Sequence, residues 1–118
     1  MKNIVLIAHD NLKEKMVEWA KKHHTTLKKH NLFATGTTGR VLTDRLNLKI
    51  KRFKGGPLGG DLQVGAKIAE GKIDIMIFFW DPLSPHPHDV DVKALLRIAT
   101  VYDIPVAINP KTADFLIR

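Results

Sequence analysis

The sequence contains no cysteine, and it has no internal repeat or low-complexity segment. Without cysteine the chain cannot be a disulfide scaffold or bind zinc through thiolates. Its apolar start, MKNIVLIAHD, reaches His9 and Asp10 too soon to be a signal peptide or a membrane span. These absences predict a soluble, cytoplasmic protein that has no membrane partner.

The chain has the length of one domain and a surplus of positive charge. Its 118 residues are enough to bury a single core, so we expect one domain over residues 1–118. A formal net charge of +7 favours anionic partners, which could be nucleic acid, a membrane surface or phosphorylated metabolites. Nucleic-acid binding would need aromatic residues interleaved with the charges, so no nucleic-acid partner is expected. The lysines of the first half are predicted to form a solvated face with His23 and His24: Lys21, Lys22, Lys28 and Lys29.

Short β-rich runs alternate with helical patterns along the chain, which is typical of a parallel sheet covered by helices on both faces. NIVLIA and IDIMIFFW are nearly continuous hydrophobic runs, as expected for central strands. The predicted fold is therefore a three-layer α/β/α domain of Rossmann-like type with a five-stranded parallel sheet. The predicted strands are residues 3–8, 32–35, 49–53, 73–80 and 105–109. The predicted helices are residues 12–23, 39–46, 62–70 and 92–102, with a short closing helix after Pro110.

Four unusual loops follow the first four predicted strands: AHDN, TGTTG, GGPLGGD and WDPLSPHPHD. All four therefore lie at the carboxyl ends of the strands, which is the edge where open parallel sheets bind ligands. The loops at the opposite edge, such as EGKID and YDIPV, are ordinary turns. This asymmetry predicts one polar cleft lined by four segments.

The TGTTG segment is a predicted phosphate cradle. Thr35, Thr37 and Thr38 offer hydroxyl groups, and Gly36 and Gly39 would let backbone N–H groups turn inward at a helix start. Plain helix capping by the threonines is the alternative, because a glycine-threonine cluster alone does not separate the two.

The GGPLGGD segment places four glycines and a proline in the six positions before Asp61. In one interpretation Asp61 is a general base, with room for substrate beside the two glycines that precede it and with the Gly55 and Gly56 amides aimed at an anion. In the other, Asp61 is the N-cap of a helix that begins at Leu62. The two roles do not exclude each other.

The loop DPLSPHPHDVD alternates histidine with aspartate, and three interpretations are open for it. A metal site is disfavoured because three prolines constrain the path. His88 could instead donate to a carbonyl oxygen or move protons. The third interpretation is a helix cap by Asp89 or Asp91 with surface histidines. His9, Asp10 and Lys13 complete the predicted cleft from the first loop.

The segments VLIAHD, ATGTTG, GGPLGGDLQVGAKIAEGKID, IFFWDPL, PHDVDVKALLRIA and TADF together resemble the methylglyoxal synthase family, in register over nearly the whole chain. The resemblance implies a methylglyoxal synthase-like fold, conversion of dihydroxyacetone phosphate into methylglyoxal and inorganic phosphate, and no metal or organic cofactor. It also implies a homohexamer. Family members commonly continue past TADF, so cooperativity and inhibition by phosphate stay open. A noncatalytic domain of the same fold that binds a phosphorylated metabolite is the alternative.

The resemblance also implies roles for individual residues. Asp61 looks like the base that removes a proton from the hydroxymethyl carbon, and His88 would polarise the substrate oxygens. His9, Asp10 and Asp91 would shape the polar network around them. The residues expected to bind the substrate and its phosphate are His9, Lys13, Thr35, Gly36, Thr37, Thr38, Gly55, Gly56 and His88.

Overall fold

The computed structural model describes residues 1–54, 59–83 and 92–118. Its strands are β1 (Asn3–Ala8), β2 (Asn31–Thr35), β3 (Ile50–Phe53), β4 (Ile75–Phe79) and β5 (Val106–Ala107). They form one five-stranded sheet in the order β3-β2-β1-β4-β5, and every neighbouring pair is parallel. The predicted sheet is confirmed, and the two continuous hydrophobic runs, β1 and β4, both lie inside it.

The helices are α1 (Lys13–Lys22), α2 (His24–Leu27), α3 (Gly36–Leu46), α4 (Gly60–Ala69), α5 (Val92–Val101) and α6 (Pro110–Ile117). A 3-10 turn at Asp10–Leu12 precedes α1. The sequence did not predict α2, because four residues are too few to show a helical period. Within the described ranges no helix is long and apolar enough to cross a membrane.

Alternate residues of β1 point into two separate hydrophobic clusters. Ile4 and Leu6 pack in the cluster that α1, α3 and α6 cover, whereas Val5 and Ile7 pack in the cluster that α4 and α5 cover. All four side chains are almost completely buried. A strand buried on both faces needs apolar residues at every position, which explains its unbroken hydrophobic run. The three-layer α/β/α architecture is thus confirmed.

The last strand and the last helix meet at Asn109. Its side-chain oxygen accepts a hydrogen bond of 2.9 Å from the backbone N–H of Thr112, and Pro110 occupies the first turn of α6. This is a standard helix start. It ends β5 at Ala107, two residues earlier than predicted, because the chain must leave the extended ladder to enter the cap.

Asp114 joins α6 to α1. Its Oδ1 atom accepts a hydrogen bond of 2.9 Å from the Trp19 indole N–H and lies 2.8 Å from His23 Nε2. The Trp19 hydrogen bond is the largest cause that lowers the pKa of Asp114 below its usual value; the hydrogen bond and charge of His23 add to it, and partial burial opposes it. The aspartate of TADF therefore has a structural role.

Candidate active site

The strand order places a topological switch point at β1. From β1 the chain passes to β2 and β3 on one side and then crosses to β4 on the other. The loops that leave β1 and β4 therefore diverge, and the crevice between them is where open parallel sheets bind ligands. His9 follows β1 and Asp81 lies two residues after β4.

Two of the four predicted cleft segments lie largely outside the described residues. Residues 55–58 include Gly55 and Gly56, and residues 84–91 include His88 and Asp91. Their predicted roles stay predictions. Among the residues that the structure does describe, no group of three or more His, Asp or Glu could hold a metal ion.

His9 is buried at the switch point, with 3% of its surface exposed. Its Nδ1 atom lies 3.1 Å from the backbone nitrogen of Asp81. Because a backbone N–H can only donate, Nδ1 accepts, and a neutral ring then carries its proton on Nε2. The His9 ring also meets the Phe78 ring edge to face, with centroids 5.1 Å apart. The ring is therefore held in one orientation with a defined tautomer.

Lys13 is held at the carboxyl end of β1. Its Nζ atom donates to the Ala8 carbonyl oxygen at 3.0 Å and to Asp10 Oδ1 at 2.9 Å. The side chain is 17% exposed, unlike the solvent-facing lysine that a helix position usually carries. Two of the three ammonium donors are engaged in these contacts. The structure thus brings Lys13, Asp10 and His9 to the same sheet edge.

The TGTTG segment is a cap followed by the first turn of α3, since the helix begins at Gly36 and not at the predicted residue 39. Thr35 is the N-cap residue, and within the part of the chain that the structure describes its side chain makes no capping hydrogen bond. The interpretation of Thr35 as a plain side-chain cap is therefore wrong. The first-turn N–H groups of a helix have no intrahelical partner, so this helix start is suited to an anion.

Thr38 supplies the clearest sign of a ligand at this helix start. It is 3% exposed, and its Oγ1 atom has no hydrogen-bond partner in the described part of the protein. Buried hydroxyl groups nearly always have a partner, because an unpaired one is unfavourable by about 1–3 kcal/mol. An anion bound at the first turn of α3 would supply an acceptor for it.

Gly39 is the fourth residue of α3, and packing at this position requires the absence of a side chain. A Cβ atom at this position would lie 2.6 Å from Cγ of Arg52 and 3.3 Å from Cβ of Ala34. The absence of a side chain therefore lets α3 lie close against β2 and β3.

Asp61 is half-buried in the first turn of α4, and the prediction that it is the N-cap is wrong. The N-cap is Gly59, whose φ of 95° is in the left-handed region that glycine favours. Asp61 Oδ1 accepts instead from the neighbouring Leu62 N–H at 3.0 Å. Gln63 Oε1 accepts from the backbone N–H of Lys54 at 2.7 Å, which ties the end of β3 to α4. Capping therefore does not account for the carboxylate of Asp61.

Sequence reasoning missed one contact between the loops after β1 and β4. Asn11 Nδ2 donates to Asp81 Oδ2 at 3.1 Å, and Asp81 Oδ1 accepts from the Leu83 N–H at 3.0 Å. The Asp-Pro pair at the start of DPL is a turn signal that could have pointed to Asp81. No spacing in the sequence could have pointed to Asn11.

The family model described as the MGS-like domain matches residues 15–108. A methylglyoxal synthase of Leptospira interrogans is 60% identical over 117 residues, which cover 99% of this chain and 79% of that protein. The chain belongs to the methylglyoxal synthase family.

Other members of the methylglyoxal synthase family agree with this assignment. The methylglyoxal synthase of Pseudoalteromonas atlantica is 59% identical over 116 residues, covering 98% of this chain and 86% of that protein. The crystal structure of methylglyoxal synthase from Elizabethkingia anophelis NUHP1 is 51% identical, covers 98% of this chain and 76% of that one, and has a TM-score of 0.96. The family resemblance and the fold predicted from the sequence are both confirmed.

Proposed function

We propose that the protein is a methylglyoxal synthase, a carbon-oxygen lyase that converts dihydroxyacetone phosphate into methylglyoxal and inorganic phosphate. The observation that carries the proposal is the buried Thr38 hydroxyl, which has no hydrogen-bond partner among the described residues, at the start of α3, where no described side chain caps the helix. It supports a bound phosphate beside the fixed imidazole of His9.

The substrate phosphate would bind at the first turn of α3. The N–H groups from Gly36 onward, together with the hydroxyls of Thr35, Thr37 and Thr38, would donate to the phosphate oxygens. The Lys13 ammonium would contribute charge from the end of β1. Gly55 and Gly56 would add backbone donors from the next loop.

Asp61 would begin the reaction by removing a proton from the hydroxymethyl carbon, which leaves an enediolate. The electron pair of the enediolate then expels the phosphate, whose bond to the terminal carbon breaks. The enol product gains a proton at that carbon and loses one from its hydroxyl group, which gives methylglyoxal. These steps are proton transfers and one elimination, so they need no metal or organic cofactor.

Hydrogen-bond donors would stabilise the charge that develops on the substrate oxygens. His9 supports this role because its proton is on Nε2 when the ring is neutral, and His88 would donate from the opposite loop. Asp10 and Asp91 would complete the polar network. The cradle would also set the torsion about the carbon–oxygen bond to phosphate, because elimination needs this bond roughly perpendicular to the enediolate plane.

The test is turnover of dihydroxyacetone phosphate by the purified protein, with and without a chelator. We expect methylglyoxal and phosphate in equal amounts under both conditions. Asp61→Asn should keep substrate binding and lower kcat by about 10²- to 10⁴-fold, whereas Asp44→Asn, on the exposed side of α3, should leave kcat unchanged. Saturable binding of dihydroxyacetone phosphate without product in the wild type would favour the alternative, a noncatalytic domain of the same fold that binds a phosphorylated metabolite.

The family resemblance further supports a cytoplasmic homohexamer in which inorganic phosphate, the product, competes with substrate at the cradle. Light scattering coupled to size-exclusion chromatography would measure the number of subunits in the assembly. A monomer with full activity would contradict the hexamer, and phosphate that lowers kcat without raising KM would contradict competition at the cradle.

A further inference from the structure

A basic groove lies at the edge of the sheet opposite the candidate active site. It is formed by the end of α2, the start of β2 and the segment that leads from α3 into β3, and its volume is about 640 Å³. Its cationic and imidazole side chains are Lys28, Lys29, Lys49, Lys51, His24 and His30. The active-site residues described above lie instead at the carboxyl ends of the strands.

The groove concentrates a large part of the positive charge of the protein. Of 19 lysines and arginines, four line it, and among the described residues that line it none is acidic. The rest of the chain is closer to electrical balance, with 15 basic and 12 acidic residues. Parallel pairing of β2 with β3 brings Lys28 and Lys29 close to Lys49 and Lys51, although some twenty positions separate them in the sequence. A concave surface lined by one sign of charge focuses an attractive potential for anions.

The lysines of the groove differ from the paired cations elsewhere on the molecule. Lys13, Arg45 and Lys67 each form an ion pair with a carboxylate. No ion pair among residues 1–54, 59–83 and 92–118 includes a lysine of the groove. A lysine face that serves only solubility would gain from interspersed carboxylates, so the unbroken charge needs another explanation.

Two histidines hold fixed positions in the wall of the groove. His24 Nε2 lies 2.9 Å from the Leu46 carbonyl oxygen, which requires Nε2 to donate. His30 Nδ1 accepts from the backbone N–H of Lys2 at 2.9 Å, so a neutral His30 ring carries its proton on Nε2. Both rings are anchored by backbone groups, and this part of the wall is therefore preformed.

We propose that the groove is a second anion-binding site, which binds a small polyphosphate. Its volume lies in the range of small-molecule sites, roughly 300–1,000 Å³. Four ammonium groups suit several linked phosphates, because each acts as a compact point charge, and a single phosphate would contact only part of the set. Phe33 is the one phenylalanine among the described residues that line the groove, and one face of its ring is stacked on Phe53 with centroids 5.8 Å apart, whereas nucleic-acid binding uses several aromatic rings interleaved with the bases.

The test is calorimetric titration of the full chain with tripolyphosphate. We expect Lys28→Gln/Lys49→Gln to weaken binding about tenfold or more and to leave KM for dihydroxyacetone phosphate unchanged. Lys21→Gln/Lys111→Gln removes the same charge from exposed positions outside the groove and should change the affinity less than about twofold. Because tripolyphosphate could also reach the phosphate cradle, Thr38→Val is titrated in parallel and should retain the groove-dependent binding.

Three results would overturn the proposal. The first is equal affinity of wild type and groove variant, and the second is loss of all binding in Thr38→Val. The third is tighter binding of a single-stranded oligonucleotide than of tripolyphosphate through the same lysines. None of these depends on whether the protein makes methylglyoxal, so failure of the groove and failure of the proposed enzyme are distinguishable.

Thermal unfolding without ligand gives an independent readout. Like charges that converge in the groove repel one another, so Lys28→Gln/Lys49→Gln should raise Tm at low salt relative to the control double variant. The difference should shrink near 1 M salt, where screening is short-ranged. Added tripolyphosphate should raise the Tm of the wild type more than that of the groove variant. Equal Tm values for both double variants in every condition would show that the lysines of the groove do not repel one another and do not bind tripolyphosphate.

Discussion

Replacing Thr38 by valine should stabilise the free protein and weaken its binding of phosphate. Thr38 is buried, and its Oγ1 atom has no hydrogen-bond partner in the described part of the chain. Thr38→Val keeps the γ-methyl group and replaces the hydroxyl with a second methyl. The substitution therefore removes a buried unpaired polar group with little change in shape.

The two effects have opposite signs and can be estimated separately. An unpaired buried hydroxyl is unfavourable by about 1–3 kcal/mol, so the free energy of unfolding should rise by about 1 kcal/mol. For a chain of this length that corresponds to a rise in Tm of about 4 °C. A hydrogen bond to a charged group contributes about 1.5–3 kcal/mol, so KM for dihydroxyacetone phosphate should rise about ten- to hundredfold.

Urea unfolding and steady-state kinetics would measure the two effects, with two controls. Thr38→Ser keeps the hydroxyl but loses the buried methyl, so it should destabilise the protein by about 1 kcal/mol and leave KM nearly unchanged. Thr43→Val, at an exposed position of the same helix, should change neither quantity. If Thr38→Val were less stable than the wild type with an unchanged KM, the hydroxyl would have a partner in the folded protein and would not bind phosphate.

Three further predictions concern the surroundings of the site and the fold. Gly59→Ala and Gly71→Ala each place a side chain at positive φ, 95° and 74°, with no further atom of the described residues within 4 Å of the new Cβ, so both should lose about 1 kcal/mol of stability in urea unfolding. Only Gly59→Ala should lower kcat, because Gly59 is next to the first turn of α4, which carries the proposed base Asp61. Equal losses of kcat in both variants would contradict this. Asn11→Asp puts a second carboxylate against Asp81 and should lower kcat about ten- to hundredfold at unchanged near-UV circular dichroism; full activity would show that the contact does not position the site. Because the pKa of Asp114 is lowered in the folded protein, its stabilising contribution is present above about pH 4 and is lost as the pH falls through the folded pKa. Asp114→Asn should therefore flatten the dependence of the free energy of unfolding on pH in acid. An unchanged slope below pH 4 would be evidence against a stabilising role of the Asp114 carboxylate.

The sheet could be predicted because a strand that is buried on both faces has an apolar residue at nearly every position. β1 matches its predicted bounds, and each of the other strands differs from its predicted bounds by one or two residues at an end. The start of α3 could not be predicted, since glycine and threonine have low helix propensity. In the fold this segment buries Thr38 and packs Gly39 closely against Arg52, and both contacts depend on strands that the sequence pattern of the segment itself does not reveal.

The sequence by itself determined the fold class, the family and the edge of the sheet where the polar loops gather. These follow from hydrophobic period, loop order and motif, which are local properties of the chain. Only the tertiary structure decided that Gly59 and not Asp61 caps α4, that the Asp81 N–H meets His9 Nδ1 across 72 residues, and that four lysines share one groove. Hydrogen bonds and charge clusters of this kind depend on distances of a few ångströms between remote segments, and packing of the strands and helices sets those distances.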